Sequence, residues 1–146
     1  MASSAYLDHL SKIRLFSSCN QRELAKIARA TDEVMVGAGK VLMEQGKPGR
    51  EAFVIVSGSA SVVISGVEVA QLHAGHHVGE LALLDGGLRT ATVTALTEME
   101  LLVISQRAFF GLIDELPGLS RKIMTSLAGM VRDVTDQLDL SPSGSY

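Results

Sequence analysis

The sequence predicts a mainly β fold, a jelly roll or double-stranded β-helix with helices in front of it and a long helix behind it. Three observations carry that expectation. Residues 32–105 read as short β-rich runs separated by glycines, whereas the segments before and after them place apolar residues three and four apart. Hydrophobic residues make up 47% of the 146-residue chain, enough to build a core without staples. With no Trp and 4% aromatics, that core has to be made of Val, Leu, Ile, Ala and Met.

The elements follow in order. Leu7, Leu10, Ile13 and Leu15-Phe16, then Leu24, Ile27 and Ala28, predict two short helices within 6–31, broken near Ser17 and Ser18. Asn20 followed by Glu23 has the form of an N-cap with its capping-box acid. The β region contains the runs EVMV, KVLMEQG, AFVIVSG, SASVVISG, VEVAQLHAG, TATVTAL and MELLVIS, hence seven or eight strands over 32–105. RAFFGLIDEL predicts a short helix that stops before Pro117. Beyond it, Leu119, Ile123, Leu127, Met130, Val134 and Leu138 form a seam along one helix face. That seam either packs on its own domain or joins a homodimer through residues 117–138. One domain spanning 1–140 and a disordered tail over 141–146 are expected.

Composition removes several function classes. A net charge of −3 leaves no basic footprint for direct nucleic-acid binding. The single cysteine, Cys19, rules out an intrachain disulfide, a clustered-thiolate metal site and an iron–sulfur cluster. No charged-then-apolar leader opens the chain, and no run approaches the ~20 apolar residues of a spanning helix, so a cytoplasmic protein without membrane contact is expected. No nucleophile motif such as G-x-S-x-G occurs, and no enzyme is expected. His73, His76, His77 and Glu80 raise a cupin-type metal enzyme as an alternative. Adjacent His76 and His77 would point to opposite faces of a strand, however, and surface histidines are the expectation, with no metal.

In the stretch HVGELALLDGGLRTATV, residues 77–93, an acid in a small apolar run, Glu80, and a base, Arg89, flank a turn that carries Asp85 and two glycines. If the LDGGLR loop bends back, Arg89 enters the β-roll near the turn at Gly79. A buried guanidinium needs an anion. Glu80 could supply it as a structural ion pair, or a ligand phosphate could, matched in two-pronged fashion by the guanidinium. A helical turn starting at Gly79 would aim free amides at such an anion, and glycine would let the backbone approach it.

VGELALLDGGLRTATV closely resembles the phosphate-binding cassette of cyclic nucleotide-binding domains, the family of catabolite activator-like proteins and of cAMP- and cGMP-dependent kinase regulatory domains. Gly79, Glu80, Arg89, Ala91 and Thr92 fall at family spacing, and the resemblance covers roughly residues 6–139. It implies that Arg89 pairs with the cyclic phosphate, that the amides of Ala82 and Thr90 complete its cradle beside Gly79 and Leu81, and that Glu80 accepts the ribose 2′-hydroxyl. Ala91 would leave room for the nucleotide. Thr90 is compatible with cAMP or cGMP, and equally with a plain strand residue. Thr135, at a position where the family places a base-contacting hydroxyl on the long helix, is a candidate for base contact or a solvated helix residue. Two departures stand out: Val78 replaces the usual aromatic, and Leu88 replaces the usual proline, which is expected to loosen the loop before Arg89. The resemblance implies a cyclic nucleotide sensor, cAMP before cGMP, which acts through its last helix on an effector protein or a second subunit. The alternative within the same fold is a nucleotide-free interaction domain whose Arg89 is satisfied internally. Six residues follow Leu140, so no DNA-binding helix-turn-helix is expected in this chain.

Overall fold

The computed structural model describes residues 4–138, and side chains from residue 6. The expected tail, 141–146, lies outside the described residues. Two four-stranded antiparallel sheets form the jelly roll. One has the order β1 (Asp32–Val36), β8 (Met99–Ser105), β3 (Glu51–Ser57), β6 (His77–Val78); the other has β2 (Val41–Met43), β7 (Thr92–Ala95), β4 (Ala60–Ile64), β5 (Val67–Leu72).

The two sheets differ in what covers them, and the sequence pattern follows. The space between them is filled by Met43, Phe53, Ile55, Ala60, Val93, Ala95, Met99, Leu101 and Val103. The first sheet is also covered on its outer face, where Ala52, Val54, Leu102 and Ile104 meet the helices. That is why β8 and β3 carry the unbroken apolar runs LLVI and AFVIV, as strands buried on both faces do. The second sheet turns its outer face to water. In β7 the alternation is accordingly clean, with Val93 and Ala95 buried and Thr92 and Thr94 half-exposed.

The helical layer comprises α1 (Ser4–Ser11), a 3-10 turn (Arg14–Phe16), α2 (Gln21–Arg29), α4 (Gln106–Glu115) and α5 (Leu119–Leu138). A four-residue helix, α3 (Ala82–Asp85), lies between β6 and β7. The first helix ends sooner than periodicity suggested, at Ser11 and not near Ser17. The 3-10 turn explains the difference, because its tighter winding drives both Leu15 and Phe16 into the core, at 0% and 1% exposure. The Asn20 capping box forms as expected: Asn20 Oδ1 accepts from the Glu23 amide and Glu23 Oε1 from the Asn20 amide, each at 2.9 Å.

The long helix departs from its expected seam. Leu119 and Ile123 are buried and Leu127 packs against the core, but Val134 and Leu138 are exposed. α5 lies on the 3-10 turn and α4. It is held there by Lys122–Glu23 and Arg14–Asp133 ion pairs and by Ser126, whose hydroxyl lies 3.3 Å from that of Ser17. Among the described residues, no helix is long and apolar enough to cross a membrane.

Candidate functional site

The chain leaves β6 at Val78, turns at Gly79 into α3, and returns through Gly86, Gly87 and Leu88 to Arg89 before β7. Val78, in place of an aromatic, packs into the space between the sheets. Gly79 has φ of 82°, and Gly86 ends α3 in the left-handed region at φ 62°. The loop is pinned despite Leu88. The Arg89 amide donates to the Lys47 carbonyl at 2.8 Å, Gly49 to Gly87 at 2.9 Å, and Gly46 to Arg89 at 2.9 Å. The expected loosening is therefore opposed by a backbone ladder between residues 46–49 and 87–89. Leu88 itself points outward, 67% exposed.

This turn and loop enclose a cavity of about 310 Å³. Gly79, Glu80, Leu81, Ala82, Arg89 and Thr90 line it, together with Met43, Asp85, Gly87 and Leu88. Ala91 does not reach it; buried beside Arg89, it begins the return to the roll. Thr135 lies elsewhere, its hydroxyl donating to the Val131 carbonyl one helical turn back. α5 rests on the N-terminal turn and not over the cavity, so Thr135 reaches a ligand there only if the helix moves.

Arg89 is 8% exposed. Its Nη2 donates to the Glu51 carbonyl at 2.9 Å, and its guanidinium carbon lies 5.9 Å from the centre of the Phe53 ring. Nη1 is buried without a partner among the described residues. Burial pushes the Arg89 guanidinium below its ordinary value, opposed by the charge of Glu51. Two glycines make its seat: a Cβ at Gly49 would lie 2.4 Å from Nε, and one at Gly79 would lie 2.7 Å from Nη1. Gly49 could not be singled out from sequence, since its partner is forty residues away.

Glu80 is not the partner of Arg89. Among the described residues no carboxylate forms an ion pair with Arg89, and the Glu80 carboxylate lies 3.1 Å from His77 Nδ1 instead. Burial opposes ionisation of Glu80, but the hydrogen bond to His77 and its charge outweigh that, holding the carboxyl below the usual range. The expectation of surface histidines fails at His77, which is 24% exposed at its side chain. The cause is β6: pairing opposite Val54 draws His77 against the sheet. His76 turns back to accept from the His73 amide at 2.8 Å. Among the described residues no three His, Cys, Asp or Glu side chains group to hold a metal.

The amides also divide. Those of Ala82, Leu83 and Leu84 close the turn onto Gly79, Glu80 and Leu81 at 3.0–3.2 Å, while those of Leu81 and Thr90 have no partner among the described residues. The Ala82 amide is thus already engaged, because the turn winds tightly from Gly79. Among the described residues, the site presents a buried cation with an unfilled donor, two free amides, the Glu80 carboxylate set to one side on His77 and the Asp85 carboxylate engaged by the Gly87 amide, a combination suited to an anion that also carries a hydroxyl.

The sequence profile of the cyclic nucleotide-binding domain family matches residues 33–115. The chain belongs to that family. Its relatives include the cAMP-dependent protein kinase regulatory subunit of Emericella nidulans, 34% identical over 119 residues, which span 80% of this chain and 29% of that protein. A cGMP-dependent protein kinase of Caenorhabditis briggsae is 30% identical over 114 residues, covering 78% of this chain and 15% of that protein. This chain therefore spans less than a third of the length of these curated relatives. Among solved structures, the N-terminal domain of a transcriptional regulator from Streptomyces coelicolor superposes with a TM-score of 0.81 at 28% identity, over 88% of this chain and 96% of that one. The Thermus thermophilus catabolite activator protein gives 0.68 at 28% identity, over 87% and 62%. The cyclic nucleotide-binding domain is a regulatory binding module and not a catalytic one.

Proposed function

We propose that this domain binds a cyclic nucleotide monophosphate in the cavity at Gly79–Thr90, cAMP in preference to cGMP, and passes the binding event through α5 to a partner protein or a second copy. The observation that carries this reading is Arg89. Among the described residues, a buried guanidinium with one nitrogen unpartnered and no carboxylate in ion-pair contact is costly, on the order of 1–3 kcal/mol for an unmet donor and more for a charge. A ligand phosphate supplies the missing acceptor and the missing charge together. The free amides of Leu81 and Thr90 add two further donors. The preference for cAMP rests on relatives such as the Emericella nidulans kinase regulatory subunit, because Thr90 by itself suits either base.

Transmission through α5 rests on its attachments. Near its start the helix is buried; further along, Met124, Leu127, Val131, Val134 and Leu138 recur at alternating spacings of three and four, and all but Leu127 are more than half exposed. Such a row is the seam of a two-stranded coiled coil, and a second copy would cover it. Ligand biases the helix only by binding one of its arrangements better than another. Movement that brings Thr135 toward the base would be one such arrangement.

The deciding experiment is calorimetric titration of the purified domain with cAMP and then cGMP, alongside Arg89→Ala. Saturable binding that is lost in a folded Arg89→Ala protein is the expected result. No heat and no thermal shift with either nucleotide would overturn the reading in favour of a nucleotide-free interaction domain.

A further inference from the structure

The Glu80 carboxylate is oriented by one other side chain, His77, together with a hydrogen bond from its own backbone amide. The carboxylate and the His77 Nδ1 are 3.1 Å apart, and the two side chains are 19% and 24% exposed. An ionised carboxylate only accepts hydrogen bonds, so Nδ1 must carry the proton whatever the state of Nε2. His77 lies on β6 in register with Val54 of β3, so the ring is placed by a sheet, while Glu80 stands in the turn that follows. The contact uses Glu80 Oε2. A carboxylate offers about four lone-pair sites, and Glu80 also lines the cavity. The arrangement leaves acceptor capacity for a ligand hydroxyl.

Resting on the cyclic nucleotide reading of this cavity, we infer that His77 is a positioning residue for sugar recognition: its Nδ1–H holds Glu80 so that the carboxylate accepts the ribose 2′-hydroxyl. Arg89 reads the phosphate independently of this pair, since no ion pair joins it to Glu80 among the described residues. Loss of the His77 donor leaves a half-buried carboxylate held only by its own backbone amide, and so able to turn toward water. Affinity for the ribose ligand then falls, while affinity for a 2′-deoxy ligand, which never used Glu80, does not.

The test is titration of cAMP and 2′-deoxy-cAMP into the wild-type protein, His77→Ala and His77→Asn, each first shown to be folded by thermal melting. The wild type is expected to prefer the ribose form. In His77→Ala that preference falls by about tenfold, roughly the effect of one hydrogen bond to a charged group, with 2′-deoxy-cAMP affinity unchanged within about twofold. His77→Asn, whose amide NH₂ can donate from nearly the position of Nδ1, recovers most of the preference. If His77→Ala does not fold, His77→Phe, which keeps the ring and lacks the donor, takes its place with the same expectation. A folded donor-less variant whose ribose preference is unchanged or enlarged overturns the inference. So does a wild type that binds both ligands equally, which leaves phosphate recognition by Arg89 standing. A wild type that binds neither overturns the nucleotide reading itself, and this inference with it.

Discussion

Replacing Gly49 with alanine asks whether Arg89 must keep its present seat to hold an anion. Gly49 is not among the glycines with positive φ, so alanine is compatible with its backbone. Its amide bond to the Gly87 carbonyl is also retained. The obstacle is the side chain opposite. The new Cβ would lie 2.4 Å from Arg89 Nε, 2.5 Å from Cζ and 2.7 Å from Cδ, where ordinary contact begins at 3.4 Å. The guanidinium must therefore withdraw by about 1 Å. A charge-assisted hydrogen bond of about 2.8 Å stretched by that much is no longer one. Losing one such bond, at roughly 1.5–3 kcal/mol, predicts cyclic nucleotide affinity lower by about 10- to 150-fold. Stability should fall by roughly 1–3 kcal/mol from displacing the buried side chain and its bond to the Glu51 carbonyl, partly offset because alanine also restricts the unfolded chain. Calorimetric titration reads the first quantity and urea denaturation the second. A folded Gly49→Ala protein with undiminished affinity would refute the argument that the glycine seat fixes the phosphate-binding position of Arg89.

Three further outcomes are expected. Leu88→Pro should fold with unchanged or slightly raised stability, by about 0.4–1 kcal/mol, because the Leu88 amide has no partner among the described residues and the flanking ladder is retained; a lowered urea midpoint would show that the loop needs leucine. Glu23, 7% exposed, is held below the usual carboxylate range: burial opposes its charge, but Lys122 and the Asn20 amide more than compensate. Its folded-state value is thus depressed. Its contribution is complete above the unfolded value of roughly 4.3 and fades as pH falls through the folded one. Glu23→Gln should lower stability at pH 7 by roughly 1–2 kcal/mol and flatten the loss as pH falls below about 5, as read by urea melts from neutral to acid pH; an equally steep acid loss would contradict the assignment. Val134→Lys, at an exposed position of the α5 seam, should shift sedimentation from dimer toward monomer without changing the melting of the monomer; a monomeric wild type would remove the second copy from the proposal.

Much of the site was legible because a turn between two strands confines all of its lining but Met43 to the twelve consecutive positions 79–90. Gly79, Glu80, Leu81, Ala82, Arg89 and Thr90 all line one cavity. Local patterns were also sufficient for the β-roll and for the Asn20 cap, since strand alternation and capping depend on neighbours within a few residues. The 3-10 turn escaped detection because Leu15 and Phe16 fit a helical period as well as they fit the tighter turn.

What the chain determines by itself is therefore the jelly-roll class, set by short-range spacing, and, through its resemblance to the family, a cassette whose residue types suit the proposed anion. Which acid accompanies which base was decided only in three dimensions. Sequence left Glu80 available to Arg89; the β6–β3 register gave it to His77, and Gly49 and Gly79 seated Arg89 against the Glu51 carbonyl. The course of α5 was decided in the same way, since its burial follows from the N-terminal turn beneath it and not from its own periodicity. Contacts between residues forty or a hundred positions apart depend on how the sheets and helices stack, and no local pattern records that.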